Sequence, residues 1–186
     1  MNNGALEVSI SGRNHTKVVA SNAHCDTLGL MVRSTNSNGT LSVTNLGWPI
    51  MSTLDGKYCV VYEEVGHGAP MIDRGISEFV TLDMGCVGLD LDGNEYAVSI
   101  CAKDSNGPYD YELTTRLIDM AKENNLNYIV DVFQNYGSDV EAAHNAGIDC
   151  KGVLIGSGVS ASYGMERTHV LGIENTLKLI YLYFAK

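Results

Sequence analysis

The order of strand-like and helix-like segments is the feature that most restricts the fold of this chain. In the first half, short apolar runs between turn-forming residues predict strands. These runs lie at residues 8–10, 17–21, 58–62, 78–83 and 96–101. Turn formers at residues 34–40 predict a hairpin that joins the strands Leu28–Arg33 and Thr40–Val43. The first half is therefore expected to be rich in β-structure.

The second half alternates helices with strands. Helices are predicted at residues 111–124, 139–146 and about 173–184, and strands at residues 127–133 and 151–155. Asp110 is a suitable N-cap for the first helix, and Gly147 is a suitable end for the second. The third helix has one apolar stripe, formed by Ile173, Leu177, Ile180 and Phe184. This order predicts an α/β fold in which helices flank a mixed sheet.

Length and composition indicate a single globular domain. A chain of 186 residues is long enough to bury a core without disulfides. The net charge of -10, without a basic stripe, argues against nucleic acid as a partner. No apolar run is long enough to span a membrane, and the N-terminus lacks a signal-peptide pattern, so we expect no membrane association. Five cysteines without a Cys-x-x-Cys motif predict free thiols in a reducing, cytoplasmic compartment.

Imidazole and carboxylate side chains follow three of the predicted strands. His24 and Asp26 come shortly after one strand, and such a pair on extended chain points to one side. Glu63 and Glu64 follow another strand, where one carboxylate can bind a metal while its neighbour takes a proton from water. Asp83 closes a third. Their joint placement at strand ends favours a metal site of the zinc or cobalt hydrolase kind.

Each of these positions also has an ordinary structural interpretation. A single His-x-Asp pair occurs in surface turns, and histidines of this kind are often hydrogen-bonded in cores. A pair of glutamates after a strand is commonly a solvated loop, and an aspartate before Met-Gly can cap the next element. The acidic balance only weakly favours a cationic or free-amine ligand, because most acidic proteins are acidic for solubility.

Six motifs along the chain occur in an order shared with a known family. They are AHCDTLGLMV, YEEVGHGA, EFVTLDMGCVG, ICAKDSNGPYDYELT, YGSDVEAAHNAG and the tail GMERTH followed by IENTLKLIYLY. Over nearly its whole length the chain thus resembles the glutamyl or tetrahedral aminopeptidases, a family of dinuclear metallo-aminopeptidases. Some of its members carry the label endoglucanase or cellulase M. The resemblance implies a three-layer α/β domain of the zinc-exopeptidase type, with its site at the carboxyl ends of central strands.

The resemblance also implies roles for the residues at the strand ends. His24 would ligate a metal, with Asp26 as its supporting residue. Glu63 would be the general base, and Glu64 and Asp83 would be further ligands. The implied cofactor is a divalent metal, zinc or cobalt. The implied reaction removes N-terminal residues from peptides, by means of a water shared between two metals.

One departure from the family pattern is a missing insertion near residues 58–62. In the family, a β-rich domain, and then a helix that begins with the metal-bridging carboxylate, precede the Glu-Glu strand. Here the segment Trp48–Cys59 resembles the beginning of the insertion and runs directly into YEEVG. The simplest interpretation is an internal deletion, which leaves residues 1–186 as one truncated catalytic domain. Asp55 superficially matches the missing motif but fits a turn better.

A second departure lies in the C-terminal motif. Tyr163 stands where the family has a histidine ligand, and Ser160 stands where another histidine is frequent. A tyrosine, with a pKa of about 10, binds zinc poorly unless it is strongly activated. His169 could supply an imidazole instead, although a structural role at the start of a helix is the simpler interpretation.

The predicted function is that of a metal-dependent, aminopeptidase-like protein with an incomplete metal site. Metal occupancy and turnover are both expected to be weakened, because a catalytic zinc needs about three protein ligands. The alternative is a non-catalytic, peptide-binding or structural remnant of the family. A glycosidase is not favoured, since no pair of acids is placed for glycosidic attack. We expect a peptide substrate and a small homo-oligomer rather than the family's large assembly.

Overall fold

The computed structural model describes residues 6–13, 16–24, 28–56 and 75–185. Within these ranges the chain forms nine strands, three α-helices and a 3-10 helix at Met51–Thr53. The strands are β1 (Val19–Ala23), β2 (Gly29–Thr35), β3 (Leu41–Leu46), β4 (Glu78–Leu82), β5 (Gly85–Cys86), β6 (Val98–Asp104), β7 (Gly107–Pro108), β8 (Tyr128–Val132) and β9 (Lys151–Val159). The helices are α1 (Tyr111–Glu123), α2 (Asp139–Asn145) and α3 (Val170–Ala185). None of these described helices is both long and apolar enough to cross a membrane.

Seven of the strands form one mixed sheet, as the sequence predicts. The strands β1, β4, β9 and β6 are neighbours in that order, and β8 also pairs with β6. β1, β4 and β9 run parallel to one another, whereas β6 is antiparallel to β9 and parallel to β8. The short strand β7 pairs with the end of β6, and β5 pairs with β9 beyond β4. The carboxyl ends of β1 and β4 therefore lie at the same edge of the sheet.

Apolar side chains pack on both faces of this sheet, which confirms the three-layer fold. One core lies between the sheet and helices α1 and α3, and it contains Val80, Val98, Ile100, Leu113, Leu117, Met120, Ala121, Val153, Ile155 and Leu179. A second core lies against α2, and it contains Ile76, Phe79, Val140, Ala143 and Ile148. A third lies under the connection between β4 and β6, and it contains Cys101, Phe133, Tyr136 and Leu154. The alternation of side chains along β9 divides its residues between these cores.

The boundaries of α1 and α2 follow the sequence signals closely. Asp110 has an extended backbone, and its Oδ1 accepts a hydrogen bond from the Leu113 N–H at 2.8 Å. Gly147 follows α2 with a φ of 83°, a conformation that glycine adopts without strain. The predicted apolar face of α1 is buried, which places this helix on the first core.

The predicted hairpin forms a sheet of its own. β2 and β3 pair antiparallel, with an irregular register between Val32 and Ser34. Several of its apolar side chains are exposed: Leu30, Met31, Val32, Leu41 and Val43. Two strands alone bury little apolar area, so this small sheet contributes little to the core of the domain.

One predicted strand is absent from the described residues. Val8 and Ile10 alternate as a strand would, yet they are exposed and lie in no strand. Alternation predicts a strand only where a neighbouring strand is within reach. The apolar stripe on α3 mostly faces outward: Ile173, Leu177 and Phe184 are exposed, and Ile180 packs against the first core. The strand predicted at residues 58–62 lies outside the described residues.

The start of α3 explains why that helix turns its stripe away from the core. A Cβ atom on Gly172 would lie 2.4 Å from the Glu95 carbonyl oxygen. The helix therefore rests on the backbone of residues 95–97 through a glycine. Buried Leu179 shares this inward side, since residues seven apart lie on one face of a helix.

Candidate metal centre

The carboxyl ends of β1 and β4 bring His24 and Asp83 together. Ala23 pairs with Leu82 at the end of the parallel register, so the next residues of both strands lie at the same edge. His24 Nε2 and Asp83 Oδ2 are 3.6 Å apart. The sequence places each residue at the end of a strand, and the structure shows that these two ends are adjacent.

The separation of these two atoms fits the ligand geometry of a single metal ion. Histidine nitrogens and carboxylate oxygens bind zinc at about 2.0–2.2 Å, so two of them at a tetrahedral angle lie about 3.4 Å apart. The observed separation is 3.6 Å, and the side chains of His24 and Asp83 are 50% and 23% exposed, so an ion can enter from solvent. In the described part of the chain, no group of three or more His, Cys, Asp or Glu side chains is placed to hold a metal.

Asp83 lies in a two-residue break between the strands β4 and β5. β4 and β5 both pair with β9, and the partners of Leu82 and Gly85 are three residues apart, like Leu82 and Gly85 themselves. The register is therefore unchanged across the break. Only Asp83 and Met84 leave the regular ladder between the two strands. An aspartate at this break can turn its carboxylate toward the neighbouring end of β1.

Gly156 of β9 has no side chain and so leaves room for the residues between β4 and β5. A Cβ atom on Gly156 would lie 1.4 Å from the Asp83 carbonyl oxygen and 2.6 Å from the carbonyl carbon. The Asp83 peptide therefore occupies the volume that a side chain would take. On the same strand, Gly152 receives a side chain of α2, and Gly158 receives the carbonyl of Asn94. β9 thus offers bare backbone to three neighbouring segments.

Hydrogen bonds orient the Asp83 carboxylate and the turn that follows it. Asp83 Oδ1 accepts the N–H of Met84 at 2.7 Å, while Oδ2 is the oxygen near His24. The Tyr136 hydroxyl donates to the Met84 carbonyl at 3.1 Å. Burial raises the pKa of Tyr136, and the nearby charge of Asp83 raises it further. The phenol therefore stays protonated and acts as a donor.

The charge of Asp83 also affects the pKa values of Tyr163 and Cys86. Burial raises the pKa of Tyr163, and Cys86 and Asp83 raise it further when they are ionised. Burial likewise raises the pKa of Cys86, which a hydrogen bond with Ser162 only partly offsets. Both groups are thus protonated near neutral pH, and protonated phenols and thiols are poor metal ligands.

Three of the predicted site residues lie outside the described residues: Asp26, Glu63 and Glu64. Their roles remain predictions. Asp55 lies in an exposed turn after the 3-10 helix, next to Gly56 with a φ of 74°. This position agrees with the interpretation of Asp55 as a turn residue.

His169, just before α3, and Ser160, just after β9, both have hydrogen-bond partners away from Asp83. The Nδ1 atom of His169 accepts the N–H of Leu171 at 3.2 Å, and its ring centroid lies 4.6 Å from that of Tyr96. Ser160 donates a hydrogen bond to Glu95. This placement agrees with a structural role for His169 at the start of a helix.

Asp104 is the centre of a buried polar network and is not among the site residues predicted from the sequence. Asp104 is 2% exposed, and its carboxylate accepts the Tyr109 hydroxyl at 2.7 Å and the Asn106 N–H at 2.9 Å. Ser138, which precedes α2, donates to the same carboxylate at 3.2 Å. The turn formers after Asp104 signal the local bond, but no local pattern signals the bond to Ser138.

The sequence profile of one protein family matches this chain. The profile of the M42 glutamyl aminopeptidases matches residues 4–63 and 57–179. The predicted aminopeptidase YhfE of Bacillus subtilis (strain 168) is 41% identical over 122 residues, which are 65% of this chain and 35% of that protein. The chain thus spans about a third of the length of this curated relative.

Solved structures share the fold. The aminopeptidase APDkam598 from the archaeon Desulfurococcus kamchatkensis matches with a TM-score of 0.77 at 13% identity, covering 94% of this chain and 81% of that chain. The TET1 peptidase of Pyrococcus horikoshii, which can assemble into a tetrahedron or a large octahedral shell, has a TM-score of 0.53 at 18% identity. That match covers 59% of this chain and 33% of the other. Identities this low show the fold alone. Because the family profile extends over most of its length, this chain belongs to the M42 glutamyl aminopeptidase family.

Proposed function

We propose that this chain is a metal-dependent, aminopeptidase-like hydrolase whose metal site is incomplete. The observation that carries the proposal is the pair of His24 and Asp83, whose ligand atoms lie 3.6 Å apart at the ends of adjacent parallel strands. Membership of the M42 family supports the class of reaction. A zinc or cobalt ion held there would polarise a peptide carbonyl as a Lewis acid.

The proposed roles of the side chains follow from their chemistry and from the family resemblance. His24 and Asp83 would hold the ion, Glu64 would add a ligand, and Asp26 would orient the imidazole of His24. Glu63 would take a proton from the attacking water and deliver it to the amine that leaves when the peptide C–N bond breaks. A net charge of -10 would weakly favour the approach of a peptide with a free, cationic N-terminus.

We also propose that the inserted domain of the family is missing near residues 58–62, so that residues 1–186 form one truncated catalytic domain. In support, the family profile matches in two stretches that meet at residues 57–63. Without the insertion we expect a small homo-oligomer, whose contacts would use the exposed apolar side chains of the β2–β3 hairpin and α3. Light scattering of the purified chain measures the mass of the oligomer and therefore the number of chains in it.

A reducing compartment, such as the cytoplasm, is proposed for this chain. The cysteines that the structure describes, Cys86, Cys101 and Cys150, are free thiols. Burial raises the pKa of Cys101 to about 12. Such a thiol is inert packing material rather than a redox centre.

A non-catalytic, peptide-binding or structural remnant of the family is the second candidate. Tyr163 favours it, because a protonated phenol beside Asp83 adds no useful ligand. A site with too few ligands would retain a cleft without turnover. Calorimetry with a short peptide, in the presence of a chelator, distinguishes the two candidates. Saturable binding under those conditions, without hydrolysis when metal is added, favours the second.

Metal content and peptide hydrolysis together test the leading proposal. The chain is loaded with Co²⁺ and dialysed, its bound metal is measured by mass spectrometry, and turnover is followed with aminoacyl-p-nitroanilides. We expect at most one ion per chain and slow hydrolysis. Asp83→Asn should raise the Kd for Co²⁺ by at least about 100-fold, because a neutral amide oxygen replaces a carboxylate ligand.

Asp90→Asn is the matched control, because Asp90 is an exposed carboxylate in the same connection between β4 and β6. Its Kd for Co²⁺ should stay within about twofold of the wild type, as expected of an exposed charge. Equal losses of Co²⁺ affinity in both variants would show that Asp83 is not a ligand of the ion. Two ions per chain with rapid turnover would show that the site is complete, and a wild type that takes up no metal would refute the proposal.

A further inference from the structure

Tyr136 is a buried polar residue next to the proposed ligand Asp83, and neither the sequence motifs nor the proposed reaction assigns it a role. It lies between β8 and α2 and is 4% exposed. Its hydroxyl donates to the carbonyl of Met84, the residue after Asp83, at 3.1 Å. A buried hydroxyl aimed at this turn restricts the backbone that presents Asp83.

The ring that carries this hydroxyl is itself held in place. The Tyr136 N–H donates to Ser105 Oγ at 2.8 Å, and the Tyr136 carbonyl accepts the Ser105 N–H at 3.1 Å. The ring centroid lies 5.2 Å from that of Phe133, within the range of favourable aromatic contacts. The phenol is therefore a donor at a fixed position, and its bond to Met84 fixes that residue in turn.

The Asp83–Met84 turn is consequently held on several sides. The Asp83 N–H donates to Ile155, and the Asp83 carbonyl rests against the bare backbone of Gly156. The Met84 N–H donates to Asp83 Oδ1, and the Met84 carbonyl accepts Tyr136. In these contacts the N–H groups of both residues, Asp83 Oδ1 and the Met84 carbonyl all have partners. Oδ2 is the oxygen that lies 3.6 Å from His24.

We propose that Tyr136 is a positioning residue of the metal site: its hydroxyl holds the Asp83–Met84 turn so that Asp83 Oδ2 stays beside His24 Nε2. This inference rests on the proposed metal binding at His24 and Asp83. The hydroxyl acts through Asp83 and does not itself touch the ion or the substrate. Fixed partners of this kind typically change metal affinity by roughly 10- to 100-fold when they are removed.

Tyr136→Phe tests this role, because it removes the hydroxyl and keeps the ring. Tyr109→Phe is the matched control, since Tyr109 is another shielded phenol whose hydroxyl donates to a buried carboxylate, that of Asp104. The Kd for Co²⁺ and the visible absorption spectrum of bound Co²⁺ are measured for both variants. We expect Tyr136→Phe to raise the Kd by about tenfold or more and to alter the spectrum. Tyr109→Phe should lose similar thermal stability without either change.

Ser105→Ala provides a second variant if Tyr136→Phe does not fold. It leaves the phenol intact but removes the Ser105 hydroxyl that accepts the Tyr136 N–H. The Kd for Co²⁺ should rise, by less than in Tyr136→Phe. A wild type that binds no Co²⁺ refutes the proposed function. A different result would refute only the positioning role. In that case the wild type binds Co²⁺, but neither Tyr136→Phe nor Ser105→Ala changes the Kd or the spectrum more than Tyr109→Phe does.

Discussion

Replacing Gly156 with alanine is expected to lower the free energy of unfolding by about 3 kcal/mol or more. The new Cβ would lie 1.4 Å from the carbonyl oxygen of Asp83. That oxygen belongs to the backbone, so no side-chain rotation can relieve the clash. The Asp83–Met84 turn must move, and Asp83 Oδ2 moves with it. Urea unfolding measures the stability, and Co²⁺ titration of the folded fraction measures the expected loss of affinity.

Gly88→Ala is the control for this substitution. Among the described residues, a Cβ atom there would meet only the Cδ1 atom of Leu91, at 3.8 Å, and the backbone has no positive φ. The stability should change by less than about 1 kcal/mol, and a small gain is possible because alanine restricts the unfolded chain. If Gly156→Ala proves as mild as Gly88→Ala, the Asp83 peptide does not pass over Gly156 as the structure shows.

Acidification below about pH 4.5 is expected to remove up to about 3 kcal/mol of stability through Glu78 alone. Burial by itself would raise the pKa of Glu78, but hydrogen bonds from Arg116, Lys17 and Tyr183 outweigh it and lower the pKa to about 2. The folded state therefore binds this proton less readily than the unfolded state, where the pKa is 4.5. The stabilisation is complete above pH 4.5 and is lost as the pH falls toward 2.

Glu78→Gln separates this contribution from general acid unfolding. The variant should be about 2–3 kcal/mol less stable than the wild type at pH 7, with the difference shrinking toward pH 2. Glu112→Gln is the control, because the Glu112 side chain is 78% exposed in its ion pair with Lys151. Exposed pairs contribute little to stability, so Glu112→Gln should unfold much as the wild type does at every pH. Urea unfolding at a series of pH values measures the free energy of unfolding of all three chains. If the difference between the wild type and Glu78→Gln does not change with pH, the lowered pKa of Glu78 is not the cause.

The parts of the fold that the sequence predicts are those governed by local patterns. Asp110 precedes a helix with a clear apolar face, and the helix begins there because the cap satisfies its first N–H groups. Glu78 shows the opposite situation. It reads as the polar first residue of a strand, whereas its partners Arg116 and Tyr183 come from helices 38 and 105 residues further along the chain. Only packing of the layers brings these groups together.

The candidate site divides in the same way. His24 and Asp83 are predictable, because each follows an apolar strand and parallel strands end at a shared edge. Tyr136 and Gly156 are not predictable from their neighbours in sequence. Their contribution depends on how β9 and the segment after β8 approach the turn at Asp83, which is a matter of distances in the folded chain. Asp26, Glu63 and Glu64 stay predictions.

The unchanged register across the break at Asp83 has an evolutionary consequence. Leu82 and Gly85 keep the same offset to their partners on β9, so the intervening segment must contain two residues. Loss or gain of a single residue there would exchange the faces of the strand beyond it and turn Cys86 to the opposite side of the sheet. In homologous chains, the type of residue at the position of Met84 should therefore vary far more readily than the number of residues between the two strands.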